Sequence, residues 1–174
     1  MEQTLATVLI VLVSSAAVFF AVFFVIKEFF TNEGNKRNTE AKTAAAEILI
    51  PAKMQAYERV ILLLERIAPG SLIMRVHKNG ITSRQLQAEL VKNIRSEYEH
   101  NISQQVYISG PAWEMVKNAK EETIKIINIA STKVDDDASG IELSQKIFEV
   151  TGQLKKLPTD LAIEVIKKDF NSTF

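Results

Sequence analysis

Ile81-Thr82-Ser83-Arg84-Gln85-Leu86-Gln87-Ala88-Glu89-Leu90-Val91-Lys92-Asn93-Ile94-Arg95-Ser96-Glu97-Tyr98-Glu99-His100-Asn101-Ile102-Ser103-Gln104-Gln105-Val106 is the stretch that decides the fold class. Thr82 precedes Gln85 by three positions, as a capping box requires, and Ile81 and Leu86 stand where a hydrophobic staple would clamp the helix entry. A helix is therefore expected from Ser83. Leu86, Leu90, Ile94, Tyr98, Ile102 and Val106 then repeat every four residues, which traces one apolar face for about six turns. Ser109-Gly110-Pro111 interrupts the pattern.

Downstream the same grammar repeats. Pro111 suits the first position of a helix carrying Trp113, Val116, Ile124, Ile127, Ala130 and Val134, with Lys117–Glu121 and Glu121–Lys125 as solvent-side pairs. Asp135, Asp136 and Asp137 end it. Ser139 and Glu142 form a second capping box opening a helix with Ile141, Ile147, Phe148 and Leu154, and Pro158 starts a last one with Leu161, Val165, Ile166 and Phe170. Upstream, Pro51 predicts a break or kink after Ile50, then a helix to about Ala68 with Ile50, Met54, Tyr57, Ile61, Leu64 and Ala68 along one side. That stripe is too short for an intermolecular coiled coil and fits packing inside a bundle. Leu72 to His77 reads equally as a helical turn or as an extended connector.

At the N-terminus the pattern changes. No charge occurs from Leu5 to Ile26, and Leu9, Ile10, Val11, Leu12, Val18, Phe19, Phe20, Val22, Phe23 and Phe24 are apolar on every face. At ~1.5 Å per residue the run covers about 33 Å, enough for one crossing of a hydrocarbon core of ~30 Å. A signal peptide would need a basic start and a shorter apolar run than follows Met1-Glu2-Gln3. Lys27, Lys36, Arg37 and Lys42 follow the run and no basic side chain precedes it, which places the C-terminal part in the cytoplasm. The sequence thus predicts an all-α protein: an extracytoplasmic N-terminus at 1–4, a transmembrane helix at 5–26, a juxtamembrane helix or linker at 27–50, and a cytoplasmic bundle of about four or five helices at 51–174. The polar stretch Thr31 to Thr39, with Asn32, Gly34, Asn35 and Asn38, reads as a hinge or weakened helix.

Composition excludes much chemistry. Lys+Arg and Asp+Glu balance at 21 each, with no basic run to follow a phosphate backbone, so nucleic acid is not an expected partner. Cysteine is absent, which removes disulfides, thiolate nucleophiles and Cys-based zinc sites. Asp135, Asp137, Ser139 and Gly140 fall at EF-hand positions, but Lys146 stands where calcium needs a bidentate carboxylate. Glu97 and His100 have the Glu-x-x-His spacing of di-iron bundles, yet the second pair is missing. No phosphate loop, nucleophile elbow or H-E-x-x-H occurs. No catalytic residue, metal or cofactor is expected.

Gln55-Ala56-Tyr57-Glu58-Arg59, Leu64-Glu65-Arg66-Ile67, Glu97-Tyr98-Glu99-His100-Asn101, Gln104-Gln105-Val106-Tyr107 and Ala112-Trp113-Glu114 resemble an uncharacterised bacterial family of membrane-anchored helical proteins. The resemblance implies a bacterial inner-membrane location and no assigned activity. In layout alone, one span followed by charged helices resembles the anchored stator subunit of rotary ATP synthases, although Pro51, Pro69 and Gly110-Pro111 interrupt a continuous stalk.

The expected function is a membrane-tethered protein-interaction or scaffold module whose partners are the bilayer and unidentified proteins, self-association included. The alternatives are a structural stalk or oligomer, and then an enzyme with a carboxylate or histidine site. The candidate interaction surface comprises Tyr57, Glu58, Arg59, Glu65, Arg66, Glu97, Glu99, His100, Tyr107 and Trp113, because Tyr, Trp and Arg most often anchor interfaces. Against it, Tyr57 and Tyr98 lie on apolar stripes and would also serve as core, the slightly stronger of the two readings.

Overall fold

The computed structural model describes the backbone of residues 1–173, with side chains at all of these except positions 2, 6, 8, 10, 11, 13, 31, 32, 34, 35, 37 to 39, 41 and 173. Ile10 and Val11 of the apolar run, the cation Arg37, and Asn32, Gly34, Asn35 and Asn38 of the expected hinge lie outside the described side chains.

Every regular element is helical. They are α1 (Glu2–Ile67), α2 (Pro69–Val76), α3 (Ser83–Asn101), a 3-10 segment (Ile102–Val106), α4 (Gly110–Ser131), α5 (Gly140–Gly152) and α6 (Pro158–Thr173). The chain divides into two compact units, Met1–Ile50 and Pro51–Phe174.

In the first unit the backbone is helical from Glu2 onward, including the polar stretch expected to weaken it. The large apolar side chains there are exposed: Leu5, Leu9, Leu12, Val18, Phe19, Phe20, Phe23 and Phe24 among them. Among the described residues no helix is long and apolar enough to cross a membrane.

The second unit is a bundle in which α4 packs along α3, α5 and α6, with α2 against α3 and α5. Its core joins Val60, Leu63, Leu64 and Ile67 with Leu72, Leu86, Leu90, Ile94, Ile127, Leu143, Ile147 and Ile166, all at 1% exposure or less. Each such side chain contributes about 1.5–3 kcal/mol of burial.

The helix expected to begin at Pro51 is instead part of α1, since Pro51 lies within the helix. Proline costs a helix one amide donor and some carbonyl clearance rather than forbidding it, so the compact units part at this position without a break in helical backbone. The stripe also turns: Ile50, Met54 and Leu62 are exposed, and the buried side is Ala56, Tyr57, Val60, Leu63, Leu64 and Ile67. Leu72 to His77, left open between two conformations, belongs mostly to α2, with Pro69 in its first turn and Leu72, Ile73 and Val76 buried.

The capping box at Thr82 forms as its spacing requires. Gln85 N donates to Thr82 Oγ1 at 3.3 Å and Thr82 N donates to Gln85 Oε1 at 3.2 Å. The α-helix ends at Asn101, earlier than the apolar repeat indicates, and continues as the 3-10 segment with Ile102 and Val106 exposed. Asn101 Nδ2 donates to the carbonyl of Glu97 at 2.9 Å, and the Ile102 amide turns to Glu99 three residues back. That tighter bonding rotates the repeat out of register.

The box expected at Ser139 does not close. Ser139 Oγ accepts from the Ile141 amide at 3.2 Å, and on α5 Leu143, Ser144 and Ile147 are buried while Ile141 and Phe148 are exposed; Leu154, expected on this helix, falls beyond its end and is exposed. A tertiary contact sets this register: Thr82 and Ser139 form an antiparallel bridge, with Gly140 N donating to Ile81 O at 2.9 Å and Ser83 N to Ala138 O at 2.8 Å. A Cβ on Gly140 would lie 2.7 Å from Ile81 Cγ2 and 3.0 Å from Ile81 O, so only glycine permits the approach. The starts of α3 and α5 are thereby tied together.

The expected solvent-side pairs on α4 also shift. Lys117 reaches Glu114 at 2.8 Å, Lys125 reaches Glu122 at 3.5 Å, and Glu121 pairs with Lys120 at 2.8 Å. Spacings of three and four both bring side chains together on a helix, so sequence alone does not select Glu114 over Glu121 for Lys117, or Glu122 over Glu121 for Lys125.

Candidate functional site

The ten residues of the expected interaction surface fall into separate environments. Tyr57 is 3% exposed and Trp113 is 5% exposed, so both are core. Tyr57 Oη donates to Asp169 Oδ2 at 2.8 Å, and its ring meets Phe170 edge-on at 5.3 Å. The Ser109 amide also donates to Asp169 Oδ2, at 3.3 Å. Burial alone would raise the Asp169 carboxyl, but the bonds from Ser109 and Tyr57 outweigh it and hold the group below the usual carboxylate range. The cluster links the end of α6 to the start of α4.

Trp113 packs on Tyr98, with ring centroids 5.7 Å apart, and Lys120 Nζ lies 4.4 Å from the Tyr98 ring centroid. The Trp113 Nε1 hydrogen is buried without an acceptor among the described residues. These aromatics pack α3 against α4. Tyr107 is half-buried after the 3-10 segment.

Of the ten, Arg66 on α1 and Glu97 on α3 are brought into contact. Arg66 Nε and Nη2 donate to Glu97 Oε1 at 2.9 and 2.6 Å. Arg75 Nη2 approaches the same oxygen at 3.5 Å and donates to the Arg66 carbonyl at 3.3 Å. The hydrogen bond to Glu97, and then its charge, raises the Arg66 pKa, keeping its guanidinium charged. Glu58, Arg59, Glu65, Glu99 and His100 are exposed, and His100 Nδ1 lies 2.7 Å from the Ser96 carbonyl.

With Glu97 taken up by two arginines, the Glu-x-x-His pair does not converge on a common point. The loop at Asp135 sends Asp136 to Arg84 at 3.3 Å. Among the described residues no group of three or more His, Cys, Asp or Glu is placed to hold a metal ion.

Sequence 3 to 173 matches one family along its length. The chain belongs to DUF7935, a family of unknown function. Curated proteins and solved structures give no match. The DUF7935 match spans both compact units, so the exposed apolar helix is as much a part of the family as the bundle.

Within the bundle of this DUF7935 member, two grooves flank α3. One, of about 790 Å³, is bordered by Arg66, Arg75, the turn Lys78-Asn79-Gly80 and the near side of α3. The other, of about 740 Å³, runs between α3 and α4, with Arg84, Lys92 and Arg95 on its rim over Val91 and Ile124. Ala88 lines both, and its small side chain leaves them separated only by the ridge of the helix. Sequence reasoning missed Arg75, Asp169 and Lys120. Arg75 lay in the segment of undecided conformation, and nothing local distinguishes Asp169, whose partner Tyr57 is 112 positions away.

Proposed function

We propose that the chain is a membrane-tethered helical protein-interaction or scaffold module, anchored by Leu5 to Ile26 in a bacterial inner membrane with its N-terminus outside and the 51–174 bundle in the cytoplasm. The observation that carries this reading is the character of the first unit. Over 22 residues without a charge, its large apolar side chains from Leu5 to Ile26 are between 49 and 70% exposed where described. Leaving so many Leu, Val and Phe side chains in water is costly, and a bilayer removes the cost on all faces at once. Lys27, Lys36, Arg37 and Lys42 on one flank supply the orientation. A tether confines the bundle to the membrane surface and so raises its effective concentration toward partners there.

The anchor reading is tested by fusing a periplasm-only reporter and a cytoplasm-only reporter, separately, to Phe174. Activity of the cytoplasmic reporter alone is expected. Activity of the periplasmic reporter would reject the topology. A structural stalk or oligomer is the second reading, since an apolar run followed by charged helices has the layout of an anchored stator subunit. Crosslinking in membranes separates the two: partners other than the chain itself support the module, and copies of the chain alone support the stalk.

A further inference from the structure

The two grooves beside α3 concentrate charge of one sign. Their borders carry Arg66, Arg75, Lys78, Arg84, Lys92 and Arg95 against only two carboxylates, Glu89 and Glu99, in a chain whose charges balance overall. Internal pairing leaves much of this field open. Two arginines share the single carboxylate of Glu97. The Arg84–Asp136 pair is exposed at 3.3 Å, Lys92 is 3.8 Å from Glu89, and Lys78 and Arg95 have no ion-pair partner among the described residues.

The floors are not charged. Val76 and Ile81 lie under one groove, Val91 and Ile124 under the other, beside the amide pair in which Gln87 Nε2 donates to Asn128 Oδ1 at 3.0 Å. Concave apolar floors with cationic rims are complementary to a segment that is apolar on one side and acidic on the other. A flat lipid headgroup layer has nothing to place against the floors, and a nucleic acid would leave the Val and Ile side chains facing phosphate.

We propose that the α3 face, with the grooves on either side of it, docks an acidic amphipathic helix or peptide of a partner protein. This deepens the interaction-module reading and rests on it. The rim cations steer and hold the acidic side, while the floors bury the apolar side. The Arg95 guanidinium, on the groove between α3 and α4, offers a two-point contact to a carboxylate, which lysine does not.

The test uses the full chain in phosphatidylcholine nanodiscs and, as probe, a fluorescein-labelled helical peptide of Leu and Glu arranged with one apolar and one acidic side. Polarisation should show binding that weakens as salt rises. The double variant Lys78→Glu with Arg95→Glu should weaken it at least about tenfold, a difference of ~1.4 kcal/mol. A control carrying Lys155→Glu and Lys167→Glu, both exposed and off the α3 face, should bind as the parent does. The pair Lys78→Gln with Arg95→Gln serves if charge reversal perturbs folding by circular dichroism. The proposal is overturned if the parent ignores the peptide, if the control weakens as much as the α3 variant, or if phosphatidylserine vesicles or poly(U) bind in its place. Membrane crosslinks that persist in the α3 variant would then leave the interaction-module reading standing and remove only the acidic partner.

Discussion

Met1–Ile50 and Pro51–Phe174 are both helical and both rich in apolar residues, yet they treat those residues oppositely. Phe19, Phe20, Phe23 and Phe24 are more than half exposed, whereas Leu63, Leu64, Leu90, Ile127 and Ile147 are 1% exposed or less. The difference lies in arrangement rather than amount. A stripe every three or four residues can be covered by a neighbouring helix, while an apolar surface on every side cannot be covered by one neighbour and calls for a solvent that is itself apolar. In the proposed anchor reading, the exposed apolar side chains of the first unit are the surface that lipid would cover.

The largest expected effect comes from deleting core volume in the bundle. Leu90→Ala should cost about 2–5 kcal/mol in urea unfolding of the bundle, and Phe23→Ala in the first unit should leave that transition unchanged. Equal losses from both would erase the distinction between the units.

Next is the contact that ties α3 to α5. Gly140→Ala forces a methyl group against Ile81 and should cost about 1–3 kcal/mol, and pairing it with Ile81→Val, which removes only the terminal Cδ1 methyl, should not restore the loss, because Cγ2 is the clashing atom. Ile81→Ala, which removes Cγ2, should restore part of it. Gly140→Ala without effect would contradict the close approach.

A smaller effect is expected at Tyr57 and Asp169. Tyr57→Phe removes one hydrogen bond and should cost about 1 kcal/mol. Because the folded Asp169 carboxyl is held below its ordinary value, its contribution is complete above about pH 4 and disappears as pH falls through the lower folded value. Asp169→Asn should therefore flatten the decline of stability as pH falls below about 4. An unchanged decline would assign it to other carboxylates.

The smallest effect belongs to the exposed charges. Glu97→Gln leaves Arg66 half exposed and able to hydrate, and thermal melting should register no more than about 1 kcal/mol.

These cases also show which parts were legible in the sequence. The Thr82 cap closes within four residues, so spacing alone specified it. The all-helical character followed for the same reason, since stripes and caps are local. Ser139 has the same spacing, but its register is set by the bridge to Thr82, 57 positions back in the chain, and the box stayed open. The α-to-3-10 change at Ile102 is a switch of its backbone amide to the carbonyl three residues back, which no apolar repeat reports. At the expected surface, the Arg66–Glu97 contact comes from the packing of two helices, between residues 31 positions apart, which residue type alone did not specify. Nor did residue type distinguish aromatic anchors from aromatic core at Tyr57 and Trp113, because both uses draw on the same side chains.

The proposed lipid cover of the first unit is tested most directly by extraction. Membranes bearing the full chain, washed in alkaline carbonate, should retain it in the pellet, and the variant Val18→Lys with Val22→Lys should move to the supernatant because two buried ammonium groups offset the gain from the apolar run. Release of the unaltered chain by the same wash would contradict the account.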